Sequence, residues 1–295
     1  MGRSWRIVRR TGRSFYDDQM THHAAALTYY ALMSLFPAVL LGLSLLGLIG
    51  EYPRTYNAII NYLRDVVPAS TLAAIDSSLR AAFKDKGTAA GALAIAVATA
   101  LYGTTGVLEA ARRALNVVFE VDGGRRFLRR KAIDIASTLG LMTLVVITLL
   151  FIFVGGGVAR DIFDLIGLGK GAAHAWDFAR WPGAVAVTIL IFASVYYVTP
   201  DVHQRSFRWV TPGAAAGVIV WVVASAGFSI YLSNVASVSA IYGAFTSAIL
   251  LVAWLWLTNV ALLFGAELDA EIEREKEIEE GIPSEATLAM PSKRG

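Results

Sequence analysis

The chain has 295 residues, 56% of them apolar and only 17% charged, with a mean hydropathy of +0.56. A soluble domain carries about 25% charged residues, so this composition excludes a disordered chain, a secreted disulfide scaffold and an ordinary soluble enzyme. It indicates a polytopic membrane protein. Cysteine is absent, which removes thiolate, iron–sulfur and cysteine–zinc chemistry. A net charge of +3 and a pI near 9.1 fit the Lys and Arg excess of cytoplasmic loops rather than nucleic-acid binding.

Residues 1–24 form a basic arm. Trp5, Val8 and Phe15 fall on one helical face, with Arg6, Arg9, Arg10 and Arg13 largely turned away. That pattern predicts an interfacial helix with its arginines among anionic headgroups. The apolar stretch that follows is too long for a signal peptide and lacks a small-residue cleavage site. It reads as an uncleaved first span.

A spanning helix needs about 20 apolar residues. Six windows qualify, at residues 25–50, 89–110, 133–155, 181–199, 210–232 and 242–265. They predict an all-α bundle of six transmembrane helices over residues 25–266. Pro182 and Pro212 sit where a first helical turn tolerates proline, and Pro200 can end the fourth span. Pro37 falls inside the first span, where it removes one backbone bond and predicts a kink: a packing feature, a hinge or a cavity wall.

Eighteen of the 26 Lys and Arg lie on one side of this arrangement and eight on the other. The richer side is expected to be cytoplasmic, and it carries both termini. The one long outer loop, residues 51–88, holds two amphipathic patterns (Ile59, Ile60, Leu63, Val66, Val67; then Leu72, Ile75, Leu79, Phe83). These predict two helices that either cap the bundle or lie on the membrane. Residues 267–295 form an acidic, helix-prone tail that Gly281 and Pro283 stop. A solvated helical face is the expectation for such a charge run.

Chemistry is sparse. The four histidines have no helical ligand spacing, so no metal site is expected. No nucleophile elbow, phosphate loop or dinucleotide fingerprint occurs, and no cofactor is implied. Charges beside the spans are the remaining pointers. Glu109 has Arg112 and Arg113 at i+3 and i+4, suited to local pairing or to an ion or headgroup site. Glu267 lies at the inner end of the last span. In span five the Gly213–Gly217 spacing lets another helix approach closely, within the subunit or across a dimer or sliding face.

Several segments resemble one family. AAALTYYALMSLFPAVLLGLSLLG resembles the opening span of the YihY/BrkB family of bacterial inner-membrane proteins. The region around Leu115 and Asn116 with FLRRK resembles its first cytoplasmic loop. Tyr196–Trp221, which includes Pro200 and Trp209, resembles its link between spans four and five. Tyr242, Gly243 and WLWLTNVALLFGAELDAE resemble its last span. The resemblance covers about Phe15 to Glu271 and implies a six-span protein of the bacterial inner membrane, associated with envelope integrity and, in some members, virulence. Lipid transport has been proposed for the family. Many members carry an old ribonuclease label, but the authentic enzyme's His-x-His-x-Asp-His cluster is missing from this sequence.

The leading expectation is a transporter or flippase-like protein for a lipid or other amphiphile, not an enzyme. The alternative is a structural or interaction protein of the envelope; a membrane-embedded hydrolase ranks last. Expected partners are membrane lipids, with anionic headgroups at the cytoplasmic face, and no nucleic acid; a homo-oligomer or envelope proteins are further candidates. Function is expected at the cytoplasmic half, around Glu109, Asn116, Pro200, Trp209 and Glu267. Pro37, Gly213, Gly217, Tyr242 and Gly243 are expected to serve packing or hinging.

Overall fold

A computed structural model describes residues 2–49, 106–121, 127–153, 169–202, 210–234 and 244–282, together with Leu288 and isolated positions between 56 and 91. All the elements described are α-helices: α1 (Arg3–Asp17), α2 (Met20–Ile49), α3 (106–118), α4 (Phe127–Phe153), α5 (Gly169–Val198), α6 (Pro212–Asn234) and α7 (Ala244–Glu279). Long uncharged stretches make this outcome physical. In a bilayer each backbone N–H and C=O must be satisfied within the segment, and a helix does so.

Among the described residues, four helices are long and apolar enough to cross a membrane, over Ala132–Ile152, Gly171–Val198, Pro212–Ser233 and Ala248–Glu279. They correspond to the third to sixth predicted spans. The first predicted span falls on α2, which is described as helix through Pro37 to Ile49. Most of the second lies outside the described residues. Tyr242, Gly243 and Trp209 also lie outside them, as do the surroundings of the Pro37 side chain.

The proline reading needs one correction. Pro212 opens α6 and Pro200 follows α5, as the sequence predicts. Pro182, however, sits inside α5, which begins at Gly169 rather than near residue 181. A charged first half that includes Lys170, Asp177 and Arg180 conceals this extension from a hydropathy window. Arg180 lies over the Trp181 ring at 5.0 Å and within 3.8 Å of Asp177. Phe151 stacks on Trp176 at 5.1 Å, so the extension packs on α4.

The chain divides into two compact units, one of Tyr29–Val107 and one of Met1–Thr28 with Leu108–Gly295. In the smaller unit, Tyr56 donates to Asp76, and Arg80 donates to Asp76 Oδ2 at 3.0 Å. Hydrogen bonds first from Tyr56 and then from Arg80 hold the Asp76 carboxyl below the usual carboxylate range. Tyr56, just before the first amphipathic pattern, and Asp76, within the second, are therefore in contact.

In the larger unit, α7 is the organising element and packs against both α1 and α6. Thirty-six residues at 1.5 Å each give about 54 Å, well beyond a hydrocarbon core of about 30 Å. The charged end of α7 therefore projects past the apolar layer, and α1 lies against that end. Arg6 and Arg10 reach Glu275 at 2.6 and 3.2 Å, Arg3 reaches Glu279 at 3.0 Å, and the Ser14 hydroxyl donates to Glu271 at 3.1 Å. Phe15 meets Phe264 edge-on.

These contacts correct the expectation for the tail. The acidic tail is not a solvated face, because Glu271, Arg274, Glu275 and Glu277 are buried. Arg6 and Arg10 of the arm are engaged by Glu275 and Arg3 by the half-exposed Glu279, while Trp5 and Val8 remain exposed. Charge complementarity between two segments 265 residues apart explains the difference, and no window of sequence contains both.

Candidate functional site

The polar end of the larger unit gathers two buried charge clusters. The first centres on Arg112, midway along α3 and only 3% exposed. Its guanidinium contacts Glu109 at 3.1 Å on its own helix and bonds Asp134 at the start of α4. Its Nε stands 3.9 Å from Asp201, just beyond α5. Arg113, by contrast, is exposed and reaches Glu109 at 3.6 Å. Asn116, one turn further along α3, holds Asp201 in place: its side-chain oxygen accepts the Asp201 N–H at 2.9 Å and its amide donates to Oδ2 at 3.4 Å. Pro200 is buried beside it.

Three elements thus converge through one cation and three carboxylates. An arginine suits this place because its planar fork can serve several carboxylates at once. Desolvating these groups is costly, and only their mutual pairing offsets it.

The second cluster lies where α3, α7 and the α1–α2 junction meet. Glu120 ends α3 with φ +50°, and Val121 N–H closes the helix on the Asn116 carbonyl at 2.9 Å. A non-glycine residue in that left-handed conformation costs about 1 kcal/mol or more. Here it aims the Glu120 carboxylate at Arg274 (2.7 Å) and at the backbone N–H of Leu288 (2.7 Å). Arg274 also donates to Glu271 at 3.2 Å. Glu267 lies one turn before Glu271, 1% exposed, with Asp18 as its hydrogen-bonded neighbour. Burial, then the charge of Glu120, pushes the Asp18 carboxyl above its ordinary range.

Beside these clusters runs the tightest helix contact. Gly213 and Gly217 of α6 face Gly265 and Ala261 of α7, and a Cβ at Gly213 would stand 2.1 Å from the Gly265 carbonyl oxygen. The small-residue face of span five is therefore filled by α7 of the same chain. Asp269 accepts the Gly213 N–H at 2.7 Å, and the Thr211 hydroxyl accepts the Ala214 N–H at 3.0 Å. Together they satisfy two of the free donors at the start of α6.

Of the sequence-predicted residues, the structure brings Glu109, Asn116 and Pro200 into one cluster and places Glu267 in the other. Arg112, which the sequence reading takes only as a local partner of Glu109, and Asp134, Asp201, Asp18 and Asp269, which it does not single out, carry as much of the geometry. Asp134 had a usable signal, as the only carboxylate between Phe127 and Phe153. Among the described residues no three His, Asp or Glu side chains are grouped to hold a metal ion.

Helices long and apolar enough to cross a membrane, with buried ionic clusters beside them, are the features of a membrane protein. The model of the virulence factor BrkB family matches residues 11–288, and the chain belongs to that family. A ribonuclease-like protein of Bacillus subtilis, YfkH, is 26% identical over 260 residues, covering 88% of this chain and 92% of the relative. A UPF0761 membrane protein of Xanthomonas oryzae pv. oryzae is 26% identical over 259 residues. The UPF0761 membrane protein XAC0937 of Xanthomonas axonopodis pv. citri gives the same identity and length. Each match covers 87% of this chain but 58% of the Xanthomonas protein, so the chain spans under two thirds of those relatives. No solved structure matches the chain.

Proposed function

We propose that this protein is a transporter or flippase-like protein of the bacterial inner membrane that handles an anionic amphiphile at its cytoplasmic side. The observation that carries the reading is the Arg112 cluster, with charged groups from three elements buried at the ends of apolar helices. Ionisable groups buried among spanning helices are costly and are by default candidates for a functional site. Arg113, on the same helix, and the exposed arm residue Arg9 offer further cations, each attracting an anionic surface by about 1 kcal/mol. An open groove between α6 and α7, lined by Ser225, Phe228, Leu232, Leu250, Leu251 and Trp254, has the apolar character an acyl chain requires.

The test is reconstitution in phosphatidylcholine–phosphatidylglycerol vesicles with a tail-labelled phosphatidylglycerol. Transbilayer movement should exceed that in protein-free vesicles and should favour the anionic lipid over labelled phosphatidylcholine. Movement equal to that in empty vesicles would remove the transport reading and leave a structural role in the envelope.

A further inference from the structure

The second cluster contains more negative charge than its cation can serve. Glu267, Glu271, Glu120 and Asp18 surround Arg274, and Arg274 is bonded to Glu271 and Glu120. Glu271 also accepts from the Ser14 hydroxyl. Glu267 receives neither contact. It is 1% exposed, and its Oε1 is fully buried with no hydrogen-bond partner among the described residues. A carboxylate buried in this way without a directly bonded cation is so costly that the group takes up a proton instead.

The other groups facing the site do not supply a counter-charge. Asp17 adds a further negative charge near Asp18. His23, on the first turn of α2, is held below its usual range by burial, so its imidazole is neutral at neutral pH; His22 lies beside it. A hydrogen bond between two carboxyl groups requires a proton on one of them.

We propose that Glu267 and Asp18 form a proton-binding site that holds one shared proton at neutral pH and seats the α1–α2 junction on α7 in that neutral form. The bound species is a proton, and the site is distinct from the Arg112 cluster. The inference does not depend on lipid transport, since its readouts are spectroscopic and thermal.

Asp18 fixes the sign of the pH dependence. Its proton is held more tightly in the folded protein than in the unfolded chain. The stability contributed by the protonated pair is complete at pH values below the ordinary carboxylate range. It is lost as pH rises through the folded-state value.

Infrared difference spectra of the full chain in lipid nanodiscs test the proposal. At neutral pH the wild type should show the carbonyl stretch of a protonated carboxyl group. Glu267→Gln should lose that component and Glu271→Gln should keep it. A wild-type spectrum without the band overturns the proposal whether or not either variant folds. So does a component that survives Glu267→Gln or disappears with Glu271→Gln. In thermal melts, the wild-type midpoint should fall more steeply than that of Glu267→Gln as pH rises above neutral. Equal slopes would show that Glu267 carries no proton that folding depends on.

Discussion

Arg112→Met is expected to destabilise the folded protein by about 3–5 kcal/mol, the usual cost of removing one partner from a buried ion pair. Methionine keeps much of the side-chain volume, so packing loss is not the main cause. The damage lies in what is left behind: Asp134 and Asp201, both nearly inaccessible to water, lose their common cation. Glu109 fares better, being partly exposed and still within reach of Arg113. Thermal unfolding in detergent should show a large drop in midpoint for Arg112→Met. Adding Asp134→Asn should recover part of it, because that removes the most directly bonded orphan charge. A single-variant loss below about 1 kcal/mol, the scale of an exposed pair, would mean that the cluster is solvated rather than buried.

Gly213→Ala should be the second large effect. The added methyl would meet the Gly265 carbonyl oxygen at 2.1 Å and the Asp269 carboxyl carbon at 2.5 Å. The first of these atoms is backbone and cannot rotate away, so α6 and α7 must separate. Overpacking of this kind costs about 1–3 kcal/mol. Here it also disturbs the hydrogen bond from Gly213 N–H to Asp269. Gly227→Ala is the control, because nothing lies within 4 Å of a Cβ at that position, and it should leave the melting midpoint near that of the wild type. Equal midpoints for the two variants would contradict the close α6–α7 seam.

Sequence and structure agree where the physics is local. Apolar runs with few charges become long helices because the bilayer leaves no other way to satisfy the backbone. Pro212 at the first turn of α6 and Pro200 after α5 follow from ring geometry alone. The Gly213–Gly217 spacing shows that something approaches closely, and Glu109 at i, i+3 and i, i+4 from two arginines shows a pairing on one helix. These are relations within a few residues of each other.

What the sequence hides is non-local. Arg112 looks like one half of a helix-surface pair, yet its strongest partner, Asp134, is 22 residues away and Asp201 is 89 away. The acidic tail looks solvated until the arm, 265 or more residues earlier, is laid against it. Glu120 gives no hint of a left-handed conformation, since glycine is the residue that normally marks one. Pro182 misleads for a different reason: a charged first half of α5 lowers hydropathy without stopping the helix.

Under the proposed function, the Arg112 cluster is a working site for an anionic amphiphile and not only a structural tie. Glu109 is the member to change, because its side chain is 30% exposed and its loss leaves the Arg112–Asp134 bond in place. Glu109→Gln should therefore insert and melt close to the wild type, within about 1 kcal/mol. The decisive measurement is its rate of phosphatidylglycerol movement in the vesicle assay, at matched protein content. A fall of at least about tenfold, equivalent to 1.4 kcal/mol on the barrier, is the predicted result. A rate equal to that of the wild type would contradict it and leave these charges as helix ends.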